Sequence, residues 1–266
     1  MLKLPNNSFL TQCGQIQTVI GGKRIIETNN LSLTEHSEQG IRRRAFLENQ
    51  RFAVFLDGHF YCEKTNSFDT YENFNYLLQE LHNSHSLTSA FKSIIGGIYT
   101  IQVLDKERSK LTVIVDPLGC APLYYKKTST GFYLSNNQFC LAADRPPLET
   151  ATVEFLKYGF LPFSDSLFDG ISRLKPGERI ECQLGIESAI ELHFEAPFSF
   201  ILPAERQRCL KQAAIDIAAA LDRYFNRLRD VHVALGLSGG YDSRVIAAML
   251  RELDLTIINF GSPRSG

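Results

Sequence analysis

A short stretch near the end of the chain combines residue types that can hold a phosphate group: Ser238-Gly239-Gly240-Tyr241-Asp242-Ser243. The apolar run 231–237 before it predicts a short buried strand, and residues 243–253 have the apolar spacing of a helix packed on one face. Two glycines let the backbone turn sharply and come close to a ligand. The free N–H groups and the positive dipole end of the helix would then face an anion, so the stretch predicts a phosphate or pyrophosphate site.

The polar side chains of this stretch suit such a site. The hydroxyls of Ser238 and Ser243 can donate hydrogen bonds to phosphate oxygens. The carboxylate of Asp242 suits a bound Mg²⁺, because Mg²⁺ prefers carboxylate and phosphate oxygens. The stretch is not a Walker loop, since no Gly-Lys-Ser/Thr follows it. The alternative is an ordinary strand-to-helix turn that Asp242 or Ser243 caps.

The stretch resembles the pyrophosphate loop of the ATP pyrophosphatases, which cleave ATP to AMP and pyrophosphate while they adenylate a substrate. This resemblance implies that the protein binds ATP and Mg²⁺, with the metal near Asp242. It also implies that the backbone around Leu237 and Asn259 lines the adenine pocket. The polyphosphate would lie across Ser238, Gly239, Gly240 and Ser243.

Composition and charge limit the classes of protein to which the chain can belong. Its 266 residues fit one large or two smaller domains, and 44% apolar with 21% charged residues is normal for a globular protein. The net charge of −1 gives no basic excess for nucleic acid or a membrane surface. No apolar run approaches the ~20 residues of a transmembrane helix, and residues 1–7 lack a signal-peptide core, so we expect a cytoplasmic location. The six scattered cysteines lack metal-ligand spacing and predict reduced, mostly buried thiols.

Residues 1–200 predict an α+β domain of strands and turns with a few helices. Asp57-Gly58 separates the apolar runs 51–56 and 59–62, a strong signal for a hairpin turn. A helix is expected at 70–82, where Asp69 can cap the first turn and an apolar face that includes Tyr71 follows. Further elements are expected as strands at 15–20, 23–27, 98–105, 111–116, 122–126, 132–135, 178–183 and 189–194, and as helices at 86–95 and 152–158.

Two segments of this domain resemble the glutamine-dependent asparagine synthetases. The run Asp116-Pro117-Leu118-Gly119-Cys120-Ala121-Pro122-Leu123-Tyr124-Tyr125 resembles that family's Asp-x-x-Gly-x-x-Pro-Leu-Tyr-Tyr segment. Residues 158–162 and 167–177 resemble the junction between its two domains, and the 238–243 stretch follows in the family's order and spacing. The resemblance implies a glutaminase-type domain at 1–200, an Ntn-hydrolase-like αββα sandwich. From 201 it implies the start of an α/β, Rossmann-like ATP-pyrophosphatase domain.

The residues that hydrolyse glutamine in that family are missing. Leu2 stands where the family has its nucleophilic cysteine. Asp57 stands where an Asn amide stabilises the oxyanion, and a carboxylate there would repel the developing negative charge. Cys13 lies inside the chain without a free amine beside it, and Gly40–Arg44 does not match the family's glutamine pocket. We therefore predict no glutaminase activity, as in relatives that form amide bonds without glutamine, such as β-lactam synthetases and lasso-peptide cyclases.

The second domain contains few elements of the fold that the resemblance implies. Residues 205–230 predict a long helix whose apolar side chains, spaced by three and four, form a packing face. The apolar sequences of strand 231–237 and of a parallel strand at 255–260 predict that both strands are buried. A sheet of this α/β class usually has about four to six strands, so two strands alone do not complete it. Their open edges are therefore expected to be exposed. Either the chain is an N-terminal piece of a longer protein, which we favour, or a separate chain completes the domain.

These features favour an ATP-dependent, amide-forming ligase whose active site is incomplete in this chain alone. A small-molecule or peptide carboxylate would be adenylated and then captured by ammonia or an amine. The alternative is a non-catalytic binding or assembly subunit, or a fragment. Another ATP-pyrophosphatase chemistry such as tRNA thiolation ranks last, since neither redox cysteines nor a basic RNA-binding surface is evident. The carboxylate, the amine donor and the oligomeric state stay open.

Overall fold

The protein has two compact units, Met1–Phe198 and Ser199–Gly266. The computed structural model describes residues 2–3, 8–14, 19–20, 23–28, 31–36, 44–65, 67, 69–84, 90–91, 93–129, 131–162, 165–176, 178–184, 190–194, 206–229 and 232–259. None of the helices in these stretches is long and apolar enough to cross a membrane.

The first unit is built on two six-stranded sheets whose described pairings are all antiparallel. The strands are β1 Leu2–Lys3, β2 Ser8–Gly14, β3 Val19–Ile20, β4 Lys23–Thr28, β5 Leu31–His36, β6 Arg44–Glu48, β7 Phe52–Cys62, β8 Ile94–Asp105, β9 Lys110–Val115, β10 Tyr124–Thr128, β11 Gly131–Ser135, β12 Ser172–Arg173, β13 Glu178–Gln183 and β14 Ile190–Phe194. Sheet I has the order β12-β10-β11-β2-β5-β4, and sheet II has the order β14-β13-β9-β8-β7-β6. The short strands β1 and β3 form a separate parallel pair.

The helices with described bounds that accompany these sheets are α1 Thr70–Ser84, α2 Gln138–Ala142 and α3 Glu149–Tyr158. Apolar side chains of both sheets form one core between them, including Phe9 and Leu33 of sheet I and Phe55 and Val113 of sheet II. Helix α1 packs on the other face of sheet II, and α2 packs on the other face of sheet I. The predicted α+β domain, with antiparallel sheets and helices on their outer faces, is confirmed.

Helix α1 begins where the sequence predicts. One carboxylate oxygen of Asp69, Oδ1, accepts hydrogen bonds from the N–H groups of Tyr71 at 2.7 Å and Glu72 at 3.1 Å, which satisfies free donors of the first turn. Phe74 and Leu77 of the predicted apolar face are buried. Tyr71 is 61% exposed, so its assignment to that face is wrong.

The predicted hairpin turn at Asp57-Gly58 is wrong, because both residues lie inside the continuous strand β7. Asp57 is opposite Thr100 and Gly58 is opposite Tyr99 in β8. Strand β8 also begins earlier than expected, so Ile94 and residue 95 belong to a strand and not to the predicted helix 86–95. Residues 86–89 and 92 of that predicted helix lie outside the described part of the chain. Pairing between these two long strands overrides the local turn preference of Asp-Gly.

The second unit contains helix α4 Arg206–Asn226, strand β15 Val233–Leu237, helix α5 Tyr241–Met249 and strand β16 Leu255–Asn259. The two strands pair in parallel, as expected for a strand–helix–strand unit. The prediction of buried strands is wrong in this structure: Ile257 is 53% and Ile258 is 46% exposed. The predicted packing face of α4 is also exposed in part, since Leu210 is 56% and Ile217 is 60% exposed.

Candidate functional site

The predicted phosphate loop connects the end of β15 to the start of α5. In the parallel pairing, Leu237 at the end of β15 lies opposite Asn259 at the end of β16. The two residues assigned to the adenine pocket therefore come together at the carboxyl ends of adjacent strands. Ligands of open α/β sheets bind at this end of the strands.

The hydroxyls of Ser238 and Ser243 contact each other and the loop backbone. Their Oγ atoms lie 3.0 Å apart, and Ser243 Oγ lies 3.0 Å from the carbonyl oxygen of Ser238. Ser243 Oγ also accepts the N–H of Ser238 at 3.2 Å. We expected these hydroxyls to point at a ligand, but each has a single proton, and here that proton holds the loop together. Binding through either hydroxyl would need its proton to turn outward.

The start of α5 has no side-chain cap. Gly240 is the N-cap residue and has no side chain that could cap the helix; its own N–H donates to Ser238 Oγ at 3.4 Å. Ser243 nevertheless holds the turn through its contacts with Ser238 and Gly240, so the alternative of an ordinary strand-to-helix turn stays open. The first N–H groups of this helix are available to an anion, as the phosphate prediction requires.

Asp242 is the acidic residue of the first turn of α5. The structure gives it no hydrogen bond or ion pair with another described residue. No group of three or more potential metal ligands exists among the described residues. Asp242 could hold Mg²⁺ only together with oxygens from a bound polyphosphate and water, as Mg²⁺ often does. Its role as a metal ligand stays a prediction.

Neither glycine of the loop needs the conformational freedom of glycine. Both have a negative φ, and Gly240 has φ −76° and ψ 162°, which any residue can adopt. A Cβ atom added at Gly239 would meet nothing within 4 Å, and one at Gly240 would meet only Ser238 Oγ, at 3.4 Å. The expected sharp turn is therefore not the reason for the glycines. The space around the Cβ position of Gly239 is open, and close approach of a ligand to this backbone stays a prediction.

Asp57 lies in a different place, between the two sheets of the first unit. Its carboxylate is almost fully buried and accepts hydrogen bonds from Arg44 Nε at 2.9 Å and from Asn136 Nδ2 at 3.0 Å. Arg44 is opposite Asp57 in the β6–β7 pairing, and the Oδ1 atom of Asn136 accepts the N–H of Phe9 at 3.1 Å. Neither partner was predicted from the sequence. The pairing of Arg44 with Asp57 depends on strand register, and Asn136 is 79 residues from Asp57 in the chain, so neither contact leaves a local sequence pattern.

The other residues considered for glutamine hydrolysis lie in strands. Leu2 belongs to β1 and lies opposite Val19. Cys13 is buried between the sheets, where a hydrogen bond with Cys182, together with burial, raises the pKa of the Cys13 thiol. A raised pKa keeps this thiol protonated, which makes it a poor nucleophile.

A buried carboxylate shapes the segment that follows β9. Asp116 accepts hydrogen bonds from three backbone N–H groups, those of Leu118 at 3.1 Å, Cys120 at 3.0 Å and Ala121 at 2.8 Å. Gly119 within this segment has φ +64°, a conformation that favours glycine. The Asp-x-x-Gly pattern thus has a structural reason: the carboxylate and the glycine fix one tight loop.

Part of the chain is similar to a known domain family. Residues 63–191 match the glutamine amidotransferase domain family, and this segment contains the Asp116 loop but neither Leu2 nor Asp57. This part of the chain is therefore similar to glutamine amidotransferase domains. No curated protein matches the chain.

Solved structures that are similar to the chain include the following two. One is the glutamine phosphoribosylpyrophosphate (PRPP) amidotransferase from B. subtilis complexed with ADP and GMP, with 10% identity, a TM-score of 0.40 and coverage of 94% of this chain. The other is described as the allosteric regulatory enzyme of purine biosynthesis, with 10% identity, a TM-score of 0.38 and coverage of 89% of this chain. The chain spans 59% and 53% of the lengths of those two chains.

Proposed function

We propose that the protein is an asparagine-synthetase-like, ATP-dependent ligase that forms amide bonds. The observation that carries this proposal is the uncapped start of α5, which lies beside open space at the carboxyl ends of two parallel strands. The sequence resemblance of the loop and of the Asp116–Tyr125 segment to asparagine synthetases supports the reaction class.

In the proposed reaction, ATP places its β- and γ-phosphates against the N–H groups at the start of α5. Mg²⁺ bound near Asp242 offsets the charge of the polyphosphate. An oxygen of the substrate carboxylate attacks the α-phosphorus, the bond to the bridging oxygen breaks, and pyrophosphate leaves. Ammonia or an amine then attacks the acyl carbon, and AMP leaves. Fixed N–H donors stabilise the charge that develops on pyrophosphate.

The proposal includes the loss of glutamine hydrolysis by the first unit. The side chain of Asp57 is a carboxylate and has no amide N–H for an oxyanion, and Arg44 and Asn136 hold it in place. The expected result is that the protein releases no ammonia from glutamine, and that it uses free ammonia or an amine instead.

ATP binding to the full chain tests the proposal, measured by calorimetry with Mg²⁺ present. Asp242→Asn should weaken Mg-dependent binding about ten-fold, as expected when a charged ligand contact is lost. Asp222→Asn is the matched control, because Asp222 is an exposed carboxylate of the same unit without an ion pair to another described residue, and it lies near Met249, at the other end of α5 from Asp242; ATP binding of this variant should be unchanged. If the chain does not bind ATP, or if both variants weaken binding equally, the proposed loop site is wrong.

Exchange of pyrophosphate into ATP then tests the chemistry, with aspartate and other carboxylates as candidate substrates. A carboxylate-dependent exchange supports the ligase. ATP binding without exchange would favour the second candidate, a binding or assembly subunit that a second chain completes. The exposure of Ile257 and Ile258 on β16 favours that candidate, because apolar side chains of such a sheet normally face other elements.

A further inference from the structure

A groove on the first unit, separate from the loop at 238–243 and from Asp57, has the properties of a ligand site. Its volume is about 750 Å³, within the range typical of small-molecule sites. It lies between the start of α2, the end of α3 and the segment that continues from β12. We call it the Phe155 groove; its lining residues include Phe139, Phe155, Phe160, Asp165, Arg173 and Lys175.

The apolar walls of the Phe155 groove are aromatic and exposed. Phe139 is 54%, Phe155 is 48% and Phe160 is 61% exposed. Phe139 packs edge-to-face on buried Phe168 with ring centroids 5.2 Å apart, and Phe160 packs on Tyr158 at 6.2 Å. These contacts restrain Phe139, and less strongly Phe160, and the three rings together offer an apolar surface that water covers at a cost in free energy.

Three charged side chains line the same groove: Arg173, Lys175 and Asp165. Arg173 donates from Nη2 to the carbonyl oxygen of Gly119 at 3.0 Å, which orients its guanidinium group. Burial raises the pKa of Tyr124, the partner of Arg173 in the β10–β12 pairing, and the charge of Arg173 opposes that rise. None of the three forms an ion pair with another described residue, so two cations and one carboxylate are available to a ligand.

We propose that the Phe155 groove binds a free α-amino acid with an apolar side chain. The carboxylate of the ligand would pair with Arg173 and Lys175, and its ammonium group with Asp165. Its side chain would lie against Phe155 and Phe160. A free amino acid carries a group of opposite charge for Asp165 and for the two cations, and a side chain for the aromatic walls, whereas a simple apolar acid offers nothing to Asp165 and a simple amine offers nothing to Arg173 and Lys175. The site is independent of the proposed ATP loop.

The charge pattern is tested with three related probes on the full chain: L-phenylalanine, N-acetyl-L-phenylalanine and L-phenylalanine amide. Calorimetry or saturation-transfer NMR should show saturable binding of L-phenylalanine, with about ten-fold weaker binding of each blocked probe. Equal binding of all three probes would mean a non-specific apolar patch, and no saturable binding below about 10 mM would mean no amino-acid site. Either result overturns the proposal.

Variants of the groove test which side chain binds each charged group of the ligand. Asp165→Asn should abolish the preference of the protein for L-phenylalanine over N-acetyl-L-phenylalanine. Arg173→Gln should reduce the preference of the protein for L-phenylalanine over L-phenylalanine amide. Phe155→Ala should weaken all binding about ten-fold. The matched controls are Val153→Ala, also exposed on α3, and Asp169→Asn, which do not line the groove. Loss of binding in the controls, or unchanged binding in Phe155→Ala, contradicts the assignment. Circular dichroism confirms that each variant is folded.

Discussion

Arg44 Nε donates to Asp57 Oδ1 at 2.9 Å from a neighbouring strand, and both side chains are almost fully buried, 6% and 1% exposed. A carboxylate therefore occupies the place that the resemblance assigns to an oxyanion donor. The guanidinium group of Arg44, on the neighbouring strand of the same sheet, neutralises its charge. Glu35 adds a second, longer contact to Arg44 at 3.8 Å. The pair explains how an acidic residue is kept between two apolar sheet faces.

Asp57→Asn should destabilise the first unit, because it leaves the buried guanidinium group of Arg44 without its nearest counter-charge. Breaking a buried pair costs about 3–5 kcal/mol, and the remaining contact with Glu35 places the expected loss in free energy of unfolding at the lower end. Urea unfolding followed by circular dichroism measures it. Glu27→Gln, which breaks the exposed Arg24–Glu27 pair, should change stability by less than about 1 kcal/mol. Equal effects of the two variants would show that the buried pair does not stabilise the unit.

Two glycines lie where β7 and β8 of sheet II pair, and both have a backbone conformation that favours glycine. Gly58 has φ +115° and Gly97 has φ +134°. A Cβ atom would lie 2.1 Å from the carbonyl oxygen of Ile98 in the first case and 2.4 Å from that of His59 in the second.

Gly58→Ala and Gly97→Ala should each lower the free energy of unfolding by more than about 2 kcal/mol, because strain and a backbone clash add together. Gly96→Ala is the control, since its Cβ atom would meet only a side-chain atom of Tyr61 at 3.9 Å. Thermal unfolding measures all three. A loss in Gly96→Ala as large as in Gly97→Ala would contradict this account.

The variant Gly239→Ala is expected to change ATP binding without lowering the stability of the fold. The backbone of Gly239 has a negative φ and its Cβ position is open, so the stability of the variant should stay the same or rise slightly. The methyl group would occupy the space above the loop, and ATP affinity should fall about ten-fold. Unfolding curves and ATP titrations on the same sample test both halves. Unchanged ATP affinity would mean that the nucleotide does not approach this backbone.

Asp105 should make the first unit lose stability in acid. Burial alone would raise the pKa of Asp105, but hydrogen bonds from Arg51 and the Arg108 N–H group, with the charges of both arginines, outweigh burial and lower it. The folded state therefore binds the carboxylate proton less tightly than the unfolded chain, whose pKa is about 3.9. The contribution to stability is fully present above that pH and is lost as the pH falls through the lower, folded pKa.

Asp105→Asn should consequently lower stability at pH 7 and flatten the fall in stability between about pH 4 and more acidic solution. Unfolding by urea at several pH values measures the slope. Asp144→Asn is the control, because Asp144 is exposed and the structure gives it no ion pair. An unchanged slope in Asp105→Asn would assign the acid sensitivity to other carboxylates.

Local patterns in the sequence predicted most of the elements. The Asp69 cap and the apolar spacing after it predicted helix α1, and the Ser-Gly-Gly stretch between an apolar run and a helical pattern predicted the loop between β15 and α5. The strands predicted at 98–105 and 178–183 are also present. These signals work because caps, turns and periodic apolar residues act over a few neighbouring residues.

The sequence alone therefore determined the secondary structure of much of the chain, the α+β class of the first unit and the position of the candidate loop. Only the tertiary structure decided that Asp57-Gly58 lies within a strand, that Arg44 and Asn136 hold Asp57, and that the two loop serines contact each other. Strand register joins residues that are far apart in the chain, and no local preference specifies which residues become partners. A side-chain partner and the burial of a helix face exist only after the sheets have paired and packed.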